Sequence, residues 1–213
     1  MNPAFNKIIL VNGKIGFGSP PAGKPFWKDS FLEGAEDFFP GRNSLYFTEK
    51  DFNYTDDTSV RFRDGKDYAR QFYDKLTSGM QKRLNNFRFV SHSMGSAFAE
   101  GIKEVLVNEG WEVDFCVHIN PWQPGDIKIA ECRSCFVIVF QNTDDPLKYM
   151  ITNKRGFIDK ADLTIRESSG YKWYQIFYKH RCPIHKGRSF WKLIENELPS
   201  RRSISGENSV CPG

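Results

Sequence analysis

Apolar positions along the chain follow two periods. Lys7 to Val11, Phe87 to Ser91, Glu112 to Ile119 and Cys135 to Gln141 are short, nearly continuous apolar runs. Runs of that length suit strands buried on both faces of a parallel sheet. Ser44 to Thr48 alternates as a shorter strand does, and Lys7 to Val11 ends at the turn pair Asn12-Gly13. Between these runs the spacing changes to three and four. Phe26 to Phe39 is loosely helical and stops before Pro40-Gly41, and Ala97 to Asn108 is a helix ended by Gly110. Tyr68, Phe72, Tyr73 and Leu76 share one face, which predicts an amphipathic helix over Asp67 to Arg83 packed on the sheet. Near the end, Asp162 to Glu167 and Lys172 to Tyr178 flank Ser168-Ser169-Gly170 as a predicted hairpin, and Arg188 to Leu198 is a closing helix before Pro199. Strands alternating with helices predict an α/β fold, a mostly parallel central sheet with helices on both faces. One domain is expected over residues 1–198, with 199–213 as a disordered tail.

Composition narrows the class of molecule. With 213 residues, 39% hydrophobic, 26% charged and 15% aromatic, the chain can bury a sizeable core, and disorder, collagen and coiled coil are excluded. No apolar run approaches the roughly 18 residues of a membrane span, and the first apolar stretch is too short for a signal peptide. The expected location is therefore the cytoplasm, or outside the cell by a route without a classical signal peptide. The net charge of +4 is spread along the chain rather than gathered into a patch, so no nucleic-acid partner is expected. Five cysteines, an odd number, do not suggest a disulfide framework. Cys132 and Cys135 form a CxxC, but zinc needs a second pair or two histidines at ligand spacing. Neither a metal nor a redox role is expected of it.

The strongest local pattern is strand, sharp turn, helix around Ser91-His92-Ser93-Met94-Gly95. A nucleophilic serine on such an elbow needs small residues two before and two after it, because strand and helix approach closely there. Ser91 and Gly95 meet that need. The turn also puts Ser93 at a helix N-terminus, where the Met94 N–H points at a developing oxyanion. The plainer reading is a serine that only caps the helix. A hydroxyl needs an imidazole to take its proton and a carboxylate to orient that imidazole. Asp144 and Asp145 stand just past the strand CFVIVFQ, on the rim where the elbow lies, or else only shape the turn before Pro146. Of the four histidines, His92 should point away from Ser93 and His118 lies in an apolar strand. His180 and His185 remain as bases, and His180 is favoured because it comes directly off the predicted strand WYQIFY.

The segment VSHSMGSAFAEG resembles the GHSMGG segment of α/β-hydrolases, among their lipases and esterases, and the likeness extends over roughly Lys7 to Leu198. Ser91 in place of the first glycine and the short chain are departures. The resemblance implies the order Ser, Asp, His seen here. It implies Asp145 as the acid, since QNTDDPL is similar to the family's acid loop, with Asp144 in reserve. It also implies a histidine between the last strand and the closing helix, His180 or else His185. Asn12-Gly13-Lys14 resembles the family's His-Gly-X turn, which makes the Lys14 N–H the second oxyanion donor beside Met94. The activity implied is that of a serine hydrolase cleaving a carboxylic ester, of a small molecule or a lipid, through an acyl-serine intermediate without metal or organic cofactor. Phe17, Phe26, Trp27, Trp122 and Tyr149 would line an acyl pocket or lid, or belong to the core.

A weaker resemblance is to the lipase-like domains at the ends of RHS-repeat proteins. The alternative function is a catalytically inactive hydrolase-like interaction module, with Ser91 marking a decayed elbow. A phosphate loop at Gly18 to Lys24 has the GxxxxGK spacing but fails chemically. Pro25 replaces the magnesium-binding hydroxyl, and Pro20 and Pro21 remove N–H donors.

Overall fold

The computed structural model describes residues 5–14, 20–52, 57–145, 158–170 and 176–198. In chain order the elements are β1 (Asn6–Val11), α1 (Asp29–Phe38), β2 (Asn43–Phe47), α2 (Thr58–Gln71), α3 (Tyr73–Thr77), β3 (Asn86–His92), α4 (Gly95–Asn108), β4 (Glu112–Ile119), β5 (Phe136–Asn142), β6 (Leu163–Glu167), α5 (Ile176–Lys186) and α6 (Arg188–Glu197). The six strands form one sheet in the order β2-β1-β3-β4-β5-β6. Every pairing is parallel. Strand order reverses at β1 and β3, so the loops after these two strands open a crevice at their carboxyl ends.

Alternation along each strand sends successive side chains to opposite faces, and the two faces carry separate cores. Ile8, Leu10, Val90, Val117, Ile138 and Phe140 pack against Phe31 of α1, Ile184 of α5 and Phe190, Trp191 and Ile194 of α6. Ile9, Val11, Phe87, Phe89, Cys116 and Val137 pack against Ala69, Leu76, Phe98, Ile102 and Leu106 of α2 to α4. Both faces of the central strands are thereby dry, which accounts for their unbroken apolar sequence. Lys7 is the exception within β1. Its ammonium is buried and donates to the carbonyls of Leu76 (2.6 Å) and Ser78 (2.9 Å), closing the C-terminal end of α3.

Two predicted elements are corrected. The helix expected over Asp67 to Arg83 begins at Thr58, where the Asp57 carboxylate caps the Val60 N–H at 2.9 Å; it breaks at Phe72 and ends at Thr77. The polar stretch TSVRFRDG hides the first two turns, yet Gly65 is required there. A methyl group on it would lie 2.1 Å from the Phe98 carbonyl of α4, and one on Gly101 would lie 2.0 Å from the Phe62 carbonyl. The two helices touch backbone to backbone through these glycines. The second correction concerns the predicted hairpin. β6 runs parallel to β5, with Ile138 opposite Leu163, and Ile176 to Tyr178 belong to helix α5. Aromatic and β-branched residues suit a strand locally, but the α5 sequence buries His180 and Ile184 one turn apart and so satisfies a helix as well. Residues 171–175 and the expected tail lie outside the described residues. No described helix is long and apolar enough to cross a membrane.

Candidate active site

Ser93 follows β3 with φ at +55°, a left-handed conformation that costs a residue with a Cβ roughly 1–3 kcal/mol. The surrounding backbone enforces it. The Ser93 N–H donates to the Ile119 carbonyl at the end of β4 (2.9 Å), and its own carbonyl accepts from the N–H groups of Ser96 (3.2 Å) and Trp122 (3.1 Å). Met94 caps α4. Gly95 cannot carry a side chain, since its Cβ would stand 2.3 Å from the Asn12 carbonyl. Ser91, the departure from glycine two residues before Ser93, is fully buried, and its hydroxyl meets His118 Nδ1 at 2.7 Å and Ser96 Oγ at 3.1 Å. The extra oxygen is absorbed by a polar network beneath the elbow, so it does not crowd the turn.

The loop after β1 lies directly against this elbow. A Cβ on Gly13 would be 2.9 Å from Ser93 Cβ and 2.7 Å from His92 Nδ1. Asn12 holds the loop, donating to the carbonyls of Gly13 (2.7 Å) and Lys50 (2.8 Å). The Lys14 ammonium is directed to Asp51 at 3.1 Å. Gly13 and the start of α4 thus approach Ser93 from two sides.

The loop after β5 carries both aspartates, and they have different partners. Asp144 accepts from the N–H and hydroxyl of Ser169, both at 2.7 Å, tying this loop to the one after β6. Asp145 is buried and receives the Nδ1 proton of His180. With the proton on Nδ1, His180 Nε2 carries the lone pair. That nitrogen is buried and makes no hydrogen bond among the described residues.

The sequence places His180 off a strand; it is in fact on helix α5. Its position is set through its carbonyl, which accepts from His92 Nε2 at 3.0 Å and from Asn120 Nδ2 at 2.7 Å. The His92 and His180 rings meet edge to face with centroids 4.6 Å apart. Because the carbonyl can only accept, His92 must hold its proton on Nε2. Burial, followed by the neighbouring His180, holds the His92 imidazole well below its usual pKa. Asn120 also accepts the Asn142 N–H at 2.7 Å, so one amide joins the ends of β4 and β5 to α5. The anchoring role of Asn120 is not anticipated from sequence; its only signal is a polar residue at a strand end beside Pro121.

His185, the other candidate base, lies further along α5. Burial, with Arg181 and Lys28 nearby, lowers its pKa to about 4. His118 is a buried core histidine bonded to Ser91 and, at 2.9 Å, to Glu100. Phe26, Trp27 and Trp122 are buried in the two cores. Phe17 and Tyr149 lie outside the described residues.

No protein-family model and no curated protein matches the sequence. Solved structures do. A protein from Listeria innocua is 11% identical over 92% of this chain and 94% of its own, with a TM-score of 0.53. A thioesterase from the prodiginine biosynthetic pathway of Streptomyces coelicolor (12% identity, 92% and 91% covered) and an esterase/lipase from an uncultured bacterium (10% identity, 92% and 78% covered) each have a TM-score of 0.49. The likeness to RHS-repeat proteins has no support among these matches. At such identities the likeness is one of architecture alone, an α/β fold with a parallel six-stranded sheet.

Proposed function

We propose that the protein is a serine hydrolase that cleaves carboxylic esters through an acyl-serine intermediate. Ser93 is the nucleophile, His180 the general base and then acid, and Asp145 the carboxylate that orients it. The observation that carries the reading is the His180–Asp145 contact, which leaves a buried Nε2 lone pair, without a partner among the described residues, on an imidazole tied by its own carbonyl to the residue before Ser93.

In the acylation step Ser93 Oγ attacks the ester carbonyl carbon while its proton passes to His180 Nε2. Asp145 stabilises the imidazolium that forms. The tetrahedral oxyanion accepts from the backbone N–H groups of Met94 and Lys14, at the elbow and the loop pressed against it. His180 then gives its proton to the departing alkoxide, and the same groups activate water for deacylation.

Fluorophosphonate labelling tests this directly. Labelling of the wild type that disappears in Ser93→Ala is the expected result; a folded wild type that takes no label points to the interaction module instead. In p-nitrophenyl ester turnover His180→Ala is expected to lose roughly 10³-fold or more in kcat, and His185→Ala to stay within a few-fold of wild type.

A further inference from the structure

Three thiols meet beneath the outer end of α4. Cys116 lies on β4 and is buried, and Cys132 and Cys135 stand half-buried on the loop entering β5. Cys135 Sγ is 3.5 Å from Cys116 Sγ, and Cys135 also interacts with Cys132, three residues before it on the same loop. Lys103 of α4 is fully buried beside them. Its ammonium is 2.7 Å from Glu100 Oε2 and has no further hydrogen-bond partner among the described residues. Burial opposes its charge, but the adjacent Glu100 carboxylate outweighs that and keeps it protonated. A buried cation near enough to act on the charge of Cys132 favours a thiolate there. Cys132 alone of the three lines a surface cavity, ≈ 320 Å³ in volume, together with Val107, Trp111, Val113 and Arg133.

We infer that Cys132 and Cys135 form a peroxide-reactive dithiol, with Cys132 the attacking sulfur and Cys135 the resolving one. This inference stands on the thiol cluster and does not depend on the hydrolase reading. The hydrogen bond from Cys135, aided by the Lys103 charge and the Cys135 N–H, outweighs burial and brings the Cys132 thiol down to about 7. Hydrogen bonding to Cys116 and Cys132, with burial, pushes Cys135 up, so it stays protonated.

The Cys132 thiolate attacks the terminal oxygen of a hydroperoxide, and the O–O bond breaks. The departing alkoxide takes a proton from water, leaving a sulfenic acid. Cys135 sulfur then attacks the Cys132 sulfur, the S–O bond breaks, and the Cys135 proton leaves with the hydroxide as water. Two thiols are oxidised by two electrons, and one hydroperoxide is reduced to an alcohol (or water) and one water. Cys116 is held by its strand and has no opening to the cavity, so it is not the attacking group.

The full-length protein treated with one equivalent of hydrogen peroxide and mapped without reduction is expected to give a Cys132–Cys135 crosslink. Cys135→Ser is expected to halt at a Cys132 sulfenic acid that dimedone captures, and Cys132→Ser to lose both products. Iodoacetamide alkylation of Cys132, followed by peptide mass across pH, is expected to show a midpoint about 7. Absence of the crosslink, a Cys116–Cys135 crosslink in its place, or a Cys132 midpoint at the ordinary thiol value of about 8.5 overturns the inference.

Discussion

His92 Nε2 lies 3.0 Å from the backbone carbonyl of His180, so the residue immediately before the elbow serine holds the proposed base from 88 positions away in sequence. The contact acts on the backbone of α5 and leaves the His180 ring free to face Asp145 and its substrate. His92 is therefore a positioning residue. Replacing it with leucine keeps much of the volume but removes the only proton that His92 donates. The expected result is a fall of roughly 10- to 100-fold in kcat with KM nearly unchanged, because small misplacements of a proton-transfer group are felt at the transition state. Glutamine, whose amide can donate to the same carbonyl, should recover most of the rate. Equal losses in both variants would show that the hydrogen bond does not matter.

The strain at Ser93 gives a prediction independent of activity. Its φ of +55° is costly for any residue with a Cβ and free for glycine. Ser93→Gly is expected to abolish fluorophosphonate labelling while raising stability by about 1 kcal/mol, which for a chain of this size is roughly 2–4 °C in Tm. Ser93→Ala loses the hydroxyl but keeps the strain, so its Tm stays near that of the wild type. A glycine variant less stable than the alanine variant removes the strained-elbow argument.

What the sequence conceals is chiefly non-local. β3, β4 and β5 are legible because burial on both faces leaves them almost wholly apolar, and the elbow is legible because its geometry demands small residues at fixed offsets. Asp145 stands just past β5 as its sequence suggests, whereas His180 is reached from a predicted strand that is in fact helix α5, and the contact of the two, spanning 35 positions, emerges only on folding. The first half of α2 escapes detection since its packing surface is the backbone at Gly65, which has no apolar side chain to count. α5 is mistaken for a strand because Ile176, Phe177 and Tyr178 suit either form, and the parallel edge at β6 settles the matter through tertiary context. The anchoring of His180 by Asn120 joins groups 60 positions apart, beyond any local pattern.

Close approach at Gly13 makes the proposed oxyanion loop sensitive to a single methyl group. Its Cβ would fall 2.7 Å from His92 Nδ1 and 2.9 Å from Ser93 Cβ, both groups that other contacts hold in place. Gly13→Ala is expected to push the loop away from Ser93 and lower kcat by about 10²–10³, the range for loss of an oxyanion donor, with the circular dichroism spectrum unchanged. Retention of full turnover would exclude Lys14 N–H as a donor.

Glu100 carries the charge balance under the elbow. It is fully buried, and it accepts from His118 Nε2 (2.9 Å) and the Ala130 N–H (2.7 Å) while pairing with Lys103. Burial opposes its ionisation, but Lys103 and His118 outweigh that and lower its pKa. Glu100→Gln leaves the Lys103 ammonium uncompensated in the core, a change expected to cost about 3–5 kcal/mol in urea unfolding. Removing both charges in Glu100→Gln/Lys103→Met should restore much of that loss. A double variant no more stable than the single one would show that packing, and not the unpaired charge, sets the cost.

Buried His92 and half-buried His185 set where acid first weakens the fold. His92 and His185 are both lowered by burial, His185 to about 4, whereas in the unfolded chain each returns to about 6.5. The unfolded state then binds more protons below that value, so the stability these residues contribute is complete above about pH 6.5 and is lost as pH falls toward 4. Glu100 and Glu104, lowered from the ordinary carboxylate value, give way only further down, below about pH 4.5. Urea midpoints measured from pH 8 downward should accordingly begin to fall near 6.5, before Glu100 and Glu104 titrate. His185→Gln should flatten the upper part of that decline, since an amide takes up no proton in either state. A midpoint constant between pH 8 and 4.5 in the wild type would mean that these imidazoles are not held neutral by the fold.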